Sequence, residues 1–207
     1  MKAYKIRQLQ DIGVLIILIG GVIVRKLLLT SAGFNNKKIE KKFLELVEIP
    51  KEKIKALFIP TAAISEDAKA MVNECKKDLL NAGVLEEHII TYDLDRAYTF
   101  QEICNFNAIY FCGGCTQHLL NKVNEANFNA TLNRFLDNGG VYIGVSAGSI
   151  IAASNLENNL GYINCYLDVH KPTGSDCGKL NTNNCPKVSL TDNQAILILG
   201  DNISIIE

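Results

Sequence analysis

The sequence predicts an α/β fold in three layers, with a mostly parallel β-sheet and helices on both of its faces. Short apolar runs rich in β-branched residues alternate with segments whose apolar residues recur at helical spacing. Two of these runs end in glycine turns that open a helix, as strands of a parallel sheet do at their carboxyl ends. The 207 residues are enough for one well-buried domain and few for two.

The expected elements follow in a regular order. We expect strands of the sheet at residues 27–30, 56–60, 88–92, 107–112 and 141–145. Helices are expected at residues 35–47, 65–83 and 99–103, and after Thr116 and Ser146. Past Ser154 the chain is rich in Asn, Gly, Thr and Pro, and short strands are expected at residues 162–169, 187–190, 195–199 and 203–206. The last two strands predict a C-terminal β-hairpin that turns at residues 200–202.

Net charge and cysteine content indicate which partners and which cellular compartment to expect. The net charge is −1 with both signs scattered, so we expect no nucleic-acid partner. The seven cysteines are odd in number and spread through apolar segments, which is typical of reduced thiols. A reducing, cytoplasmic location is therefore expected.

Residues 1–25 predict a separate apolar extension that precedes a single domain at residues 26–207. Residues 12–24 form an uncharged apolar run of thirteen residues with basic residues on both sides. A membrane-spanning helix needs about 20 residues, and no small-x-small cleavage site follows the run. Three explanations stay open: a mis-assigned start, a short anchor or signal, and a genuine extra element. Membrane association is expected only if this segment is an anchor.

Residues 141–152 predict a nucleophile elbow. An apolar run enters Gly144-Val145-Ser146-Ala147-Gly148, and a small-residue apolar segment leaves it, which is the strand, sharp turn and helix of that motif. The residues two before and two after the serine must be small so that strand and helix can approach, and both are glycine. Gly-x-Ser-x-Gly also occurs in ordinary strand-to-helix turns and phosphate-binding loops.

His170 is the best candidate for the base that a serine nucleophile needs. His88 follows a Glu-rich turn, and His118 lies in the first turn of a helix, whereas His170 lies where a strand becomes a loop. Glu157 ranks first as the orienting acid, because it gives the chain order serine, acid, histidine. Asp168 ranks second and Asp176 third. It is also left open that His170 has no carboxylate partner.

A second glycine turn, Cys112-Gly113-Gly114-Cys115-Thr116, follows the fourth strand. Gly113 or Gly114 could supply one N–H group of an oxyanion hole and Ala147 the other. The turn also matches Cys-x-x-Cys, but a redox pair normally follows the first strand of its fold, and zinc would need a second matching pair. We therefore expect no metal here.

Four segments together resemble the dipeptidase E and cyanophycinase family of serine peptidases. These segments are residues 26–31, 111–116, 144–149 and 167–170, and the resemblance extends over residues 26–207. It implies a class I glutamine amidotransferase-like fold, no metal or other cofactor, and hydrolysis of peptides, in the best-known members after an N-terminal aspartate. By the resemblance, Ser146 matches the nucleophile and His170 the base. The family usually has Gly-Gly-Gly-Asn-Thr at the second glycine turn, and the segment from Ser146 to His170 is shorter here than in the aspartyl dipeptidases.

The function predicted from the sequence is hydrolysis of short peptides by a serine peptidase, with dipeptides that begin with aspartate as one substrate class. Its partner would be a small peptide substrate. Two alternatives stay open: a generic acyl hydrolase that uses the same serine and histidine, and a catalytically silent protein of this fold that binds a small molecule or peptide.

Overall fold

The computed structural model of the protein describes residues 24–207. Its strands are β1 (Lys26–Thr30), β2 (Ala56–Ile59), β3 (Ile89–Thr91), β4 (Ala108–Phe111), β5 (Val141–Val145), β6 (Tyr166–Asp168), β7 (Gly178–Lys179), β8 (Lys187–Ser189), β9 (Ala195–Leu199) and β10 (Asn202–Ile206). Its helices are α1 (Lys37–Val47), α2 (Glu66–Asn81), α3 (Phe100–Ile103), α4 (Thr116–Glu125), α5 (Phe128–Leu136) and α6 (Ala147–Ile150). The expected apolar extension therefore lies outside the described residues, except for its last two.

Eight strands form one sheet in the order β3-β2-β4-β5-β1-β9-β10-β7. The five strands from β3 to β1 are mutually parallel, whereas β9 pairs antiparallel with β1. Strands β9 and β10 form the antiparallel C-terminal hairpin, with Asn202 opposite Leu199. The predicted α/β class, the mostly parallel sheet and the C-terminal hairpin are confirmed.

Helices cover both faces of the sheet. On one face, α1 and α2 bury Ile39, Phe43 and Leu79 against alternate residues of the strands. On the other face, α3, α4, α5 and α6 pack on the remaining strand residues. Full burial of a side chain of this size stabilises the fold by roughly 1.5–3 kcal/mol. The sheet is therefore the middle of three layers, and its strand ends are the places left for polar chemistry.

The segment expected as a strand at residues 162–169 is shorter in the structure. Only β6 is extended, and it pairs in parallel with β8 in a separate two-stranded sheet. The preceding residues instead fold back onto the turn that follows α6: the N–H groups of Leu160 and Tyr162 donate to the carbonyls of Ile151 (2.8 Å) and Ala152 (3.0 Å). Backbone groups bonded in this way have no strand partner, so the extended part begins later than the sequence predicted.

The end of β5 lies unusually close to α6. A Cβ added to Gly144 would lie 2.6 Å from the backbone carbonyl carbon and oxygen of Gly148. A Cβ added to Gly148 would lie 2.7 Å from Cβ and the carbonyl oxygen of Phe111 in β4. These neighbours are mostly backbone atoms that cannot move aside, so the strand-to-helix turn needs glycine at both positions.

Replacing Gly144 with alanine is expected to destabilise the fold by about 3 kcal/mol, because overpacking against a rigid backbone is costly. The measurement is the free energy of unfolding from denaturant titration. Gly139→Ala is the matched control: its φ is +86° but its added Cβ meets nothing within 4 Å, so the left-handed backbone alone should cost about 1 kcal/mol. Equal losses in the two variants would contradict the packing argument.

Candidate active site

Ser146 stands at the tight turn between β5 and α6. Its backbone angles are φ 49° and ψ −104°, a conformation that is costly for a residue with a side chain and is held only by its surroundings. The Ser146 N–H donates to the carbonyl oxygen of Thr30 at 3.0 Å. The predicted nucleophile elbow is therefore present in its geometry, with the hydroxyl at the carboxyl edge of the sheet.

Buried hydroxyl groups hold this turn in place. The Ser149 hydroxyl contacts the carbonyl oxygens of Thr30 (2.7 Å) and Gly144 (2.8 Å). The Tyr142 hydroxyl donates to the carbonyl oxygen of Gly148 at 2.5 Å. Because these side chains are fully buried, their hydrogen bonds are made in a low-dielectric interior and constrain the turn firmly.

His170 follows β6 and reaches the nucleophile. Its Nε2 lies 3.0 Å from the Ser146 hydroxyl oxygen, which is within hydrogen-bonding reach for proton transfer. The backbone of His170 has φ 56°, and its N–H donates to the Ser31 hydroxyl oxygen at 2.7 Å. The structure thus brings together the two residues that the sequence predicted as nucleophile and base.

Asp192 lies on the other side of the imidazole. Its Oδ1 is 2.7 Å from His170 Nδ1 and also accepts a hydrogen bond from the Ser31 hydroxyl at 2.9 Å. A carboxylate can only accept, so Nδ1 carries the proton and Nε2 is free to accept from Ser146. Half of each side chain is exposed, 50% for His170 and 51% for Asp192. The geometry is a linear chain of serine, histidine and aspartate.

The acids ranked from the sequence lie elsewhere. Glu157 is exposed and makes no hydrogen bond or ion pair with any described residue. Asp168 is bound to Lys187 at 3.0 Å, and this hydrogen bond lowers the pKa of its carboxyl. Asp176 is exposed. The carboxylate against His170 is Asp192, which precedes β9, because β9 pairs with β1 and brings the Asp192 turn to the same edge of the sheet.

The backbone N–H groups of Gly114 and Ala147 have no acceptor among residues 24–207, whereas that of Gly113 is hydrogen-bonded to the Cys75 thiol. A Cβ built on Gly113 would lie 3.3 Å from Cβ of Ser146, so the two turns are in contact. Gly114 has φ +137°, and a Cβ there would collide with the carbonyl oxygen of Ala62 at 2.1 Å. The oxyanion hole, which requires unpaired N–H groups beside the serine, stays a prediction.

A cavity of about 560 Å³ opens beside the serine. This volume falls in the usual range of small-molecule sites, about 300–1,000 Å³. Its walls come from the ends of β1, β4 and β5, from α2, and from the loops of His170 and Asp192. The charged residues on its walls, apart from the serine–histidine–aspartate chain, are Glu74, Lys77 and Asp78, and Lys77 is paired with Glu74 at 2.7 Å.

Asp78 is the most deeply placed of these charged groups. Its Oδ2 accepts hydrogen bonds from the Phe34 N–H (3.0 Å) and the Tyr110 hydroxyl (2.5 Å). Burial raises the pKa of its carboxyl to about 6, and the two hydrogen bonds counter this only in part. No ion pair to Asp78 is found between residues 24 and 207. Sequence patterns had given no reason to select this residue.

The cysteines of the second glycine turn are free thiols. Cys112 is buried, and burial raises the pKa of its thiol well above the usual value. A hydrogen bond with Cys112 lowers the pKa of Cys75. The N–H group of Cys115 is occupied by the carbonyl oxygen of Ala62 at 2.7 Å. Across residues 24–207, no three His, Cys, Asp or Glu side chains are arranged to hold a metal ion.

The remaining histidines lie away from the serine. His118 lines a second, larger cavity of about 820 Å³, which contains neither Ser146 nor Asp192. His88 is half-buried, with its Nδ1 unpaired among the described residues. None of the helices described in the structure combines the length and apolar character that crossing a bilayer requires.

Sequence comparison places the chain beside known peptidases. Residues 27–163 match the model of Peptidase family S51. The chain is 28% identical over 100 residues to an uncharacterized peptidase of Pasteurella multocida (strain Pm70) and 34% identical over 101 residues to one of Listeria monocytogenes serovar 1/2a (strain ATCC BAA-679 / EGD-e). Each alignment covers 48% of this chain and 48% of the relative, so the chain spans about half the length of the curated relatives it matches.

Two crystal structures are similar in fold. A protein from Listeria monocytogenes EGD-e, provisionally assigned as peptidase E, superposes with a TM-score of 0.67 at 23% identity, over 89% of this chain and 98% of that one. A peptidase from an acI-B1 Actinobacterium superposes with a TM-score of 0.63 at 16% identity, over 90% and 88% of the two chains. The family match includes Ser146 and the second glycine turn, whereas His170 and Asp192 lie beyond its end.

Asp78 is expected to make the stability of the fold depend on pH. A carboxyl whose pKa rises from 3.8 to about 6 on folding holds its proton more tightly in the folded state, so its contribution to stability is present at low pH and is lost as pH rises through 6. The Asp78→Asn variant has no titrating carboxyl at this position, so it does not show this loss of stability. Between pH 4 and pH 7, the unfolding free energy of the wild type should therefore fall relative to that of Asp78→Asn by at most about 3 kcal/mol. Denaturant titrations across this range test it, and parallel pH profiles would contradict it.

Proposed function

The chain belongs to peptidase family S51, and on that premise we propose that it is a serine peptidase that hydrolyses short peptides. The observation that carries the proposal is the hydrogen-bonded chain from the Ser146 hydroxyl through His170 to Asp192. A serine hydroxyl is a weak nucleophile until a base in contact takes its proton, and a base is oriented by a third group. This site has all three groups.

In the proposed first step, the Ser146 oxygen attacks the carbonyl carbon of the scissile amide while His170 Nε2 accepts the hydroxyl proton. The carbonyl oxygen becomes an oxyanion, and the N–H groups of Ala147 and Gly114 would stabilise it. Asp192 would hold the imidazole in the tautomer that can accept this proton and would stabilise the imidazolium that forms.

In the second step, the imidazolium gives its proton to the leaving amine nitrogen as the C–N bond breaks, leaving an acyl ester on Ser146. A water molecule then repeats the sequence in reverse: His170 takes its proton, the oxygen attacks the ester, and Ser146 recovers its hydrogen as the carboxylic acid leaves. The whole cycle consumes one amide bond and one water, and it needs no group other than these residues.

The cavity favours a small substrate. Its volume of about 560 Å³ holds a few residues of peptide. A preference for N-terminal aspartate, which the family resemblance implies, would need a cation to bind the substrate carboxylate. The described walls carry one lysine, Lys77, and it is already paired with Glu74. The site therefore favours short peptides in general over an aspartyl dipeptidase.

Alternative functions differ in what the same site would do. A generic acyl hydrolase would use Ser146 and His170 on an ester, and a silent member of the fold would bind a peptide without cleaving it. The linear contact from serine to carboxylate favours catalysis over binding alone, because a binding protein has no use for a base at 3.0 Å from an otherwise strained serine.

Ser146 is expected to react with a fluorophosphonate probe, because this reagent labels serines that an adjacent base activates. The measurement is gel fluorescence and the mass of the labelled peptide. Ser146→Ala should show no label, and Ser204→Ala, which changes a serine of β10 that does not line the cavity, should keep it. A folded wild-type protein that takes no label would rule out the hydrolase proposal.

Asp192→Asn is expected to lower kcat by roughly 10³–10⁴-fold with little change in KM, because an amide no longer fixes the productive tautomer of His170. Glu157→Gln is the matched control and should retain wild-type turnover, since Glu157 makes no contact with His170. The measurement is steady-state hydrolysis of a dipeptide library. The opposite ranking of the two variants would assign the orienting role to Glu157.

Ser31→Ala is expected to lower kcat by about 10- to 100-fold. The Ser31 hydroxyl donates to Asp192 and accepts from the His170 N–H, and a hydrogen bond to a charged group contributes about 1.5–3 kcal/mol. As a positioning residue it should also shift the pH profile of kcat, which a loss of fold would not do. Ser31→Thr keeps the hydroxyl and should restore most of the activity; failure of that rescue together with an unchanged pH profile would contradict the role.

A further inference from the structure

We propose that Asp78 binds an ammonium group of the peptide substrate and thereby selects peptides by positive charge. The proposal rests on the proposed peptidase function, because it gives Asp78 a role in the same cavity as Ser146. The ammonium could be the α-amino group of the substrate or the side-chain amine of a lysine. Both present the same N–H donors and the same charge.

The Asp78 carboxylate has one oxygen committed and one available. Oδ2 accepts from the Phe34 N–H and from the Tyr110 hydroxyl. Oδ1 accepts no hydrogen bond from the described residues and keeps some contact with solvent. A carboxylate in a cavity wall that is fixed through one oxygen has its other oxygen free to accept a further donor.

The charge on Asp78 also lacks compensation. Its two donors are neutral groups, and the charged residues that act on it, Glu40 and Glu74, are acidic. Its neighbour on α2, Lys77, is bound to Glu74 instead. The cysteines beside it, Cys75 and Cys112, add no positive charge. A partly buried carboxylate without a cation is costly, and a substrate ammonium in the cavity would supply the missing charge.

The elevated pKa of the Asp78 carboxyl agrees with this geometry. Its value of about 6 means that the empty site keeps the group charged at neutral pH, while burial still works against the charge. Binding of an ammonium would favour the charged form. The group is therefore ionised in the range where a peptide amine is also protonated, so that attraction is available at pH 7.

The test uses pairs of peptides in which only one member carries the positive charge in question. Ala-Leu is compared with N-acetyl-Ala-Leu for the α-amino group, and N-acetyl-Lys-Leu with N-acetyl-norleucyl-Leu for the side chain. The readouts are protection of Ser146 from fluorophosphonate labelling and, where hydrolysis occurs, kcat/KM. The full chain is used as wild type, Asp78→Asn, and Asp67→Asn as the matched control, because Asp67 is an exposed acid on the same helix that lines neither cavity.

In the wild type, the charged member of at least one pair should protect or react roughly 10- to 100-fold better than its neutral partner, as expected of a charge-assisted hydrogen bond. Asp78→Asn should remove this ratio for that pair while the neutral peptides change less than about twofold, and Asp67→Asn should keep it. Which pair responds identifies the source of the ammonium. A ratio near one in the wild type, or a ratio that Asp78→Asn leaves intact, overturns the proposal.

Failure of the peptidase proposal would give a different result. In that case peptides would protect Ser146 in a charge-dependent way without being hydrolysed, or the folded wild type would take no label. Labelling of Asp78→Asn without peptide is measured beside the wild type, because Asp78 makes no hydrogen bond to Ser146, His170 or Asp192. A slower rate would mean that the substitution disturbs the reactive serine, and Asp78 would then have no separate role in selection.

Discussion

The site depends on two consecutive residues at the end of β1. The carbonyl oxygen of Thr30 accepts from the Ser146 N–H and the Ser149 hydroxyl, so it holds the turn that presents the nucleophile. The next residue, Ser31, accepts from the His170 N–H and donates to Asp192. Because β1 lies between β5 and β9 in the sheet, its end is the only strand terminus adjacent to both. Among the described residues, the order of strands therefore brings Ser146, His170 and Asp192 together.

Two members of the site are held in costly backbone conformations. Ser146 and His170 both have positive φ values, 49° and 56°, which L-residues with a side chain rarely adopt. Such strain persists only when the surroundings over-determine it. The hydrogen bonds of Thr30 and Ser31 and the glycine contacts behind the turn provide that constraint. The sheet therefore holds the Ser146 hydroxyl oxygen and His170 Nε2 3.0 Å apart in the absence of substrate.

Most of the fold and part of the site could be predicted from sequence because the signals are local. The elbow and the second glycine turn are short motifs, and the alternation of strands and helices is a repeated pattern. The helix α5 was open to the same reasoning, since Phe128, Leu132 and Phe135 recur at helical spacing. Asp192 was not. Its place follows from the antiparallel pairing of β9 with β1, a contact between residues far apart in the chain that no local pattern signals.

Asp192 and Asp78, two of the carboxylates that line the cavity, differ in their surroundings. Asp192 is half exposed and touches an imidazole, so water keeps its charge hydrated, and it can stabilise a positive charge that forms beside it and then disappears. Asp78 is partly buried, and its two donors are neutral, so no positive charge among the described residues compensates it. A catalytic acid partner must be free of a permanent cation, whereas a recognition group must lack one until the substrate binds. Under the two proposals, Asp192 would orient His170 at the exposed position, and Asp78 would bind the substrate ammonium at the partly buried one.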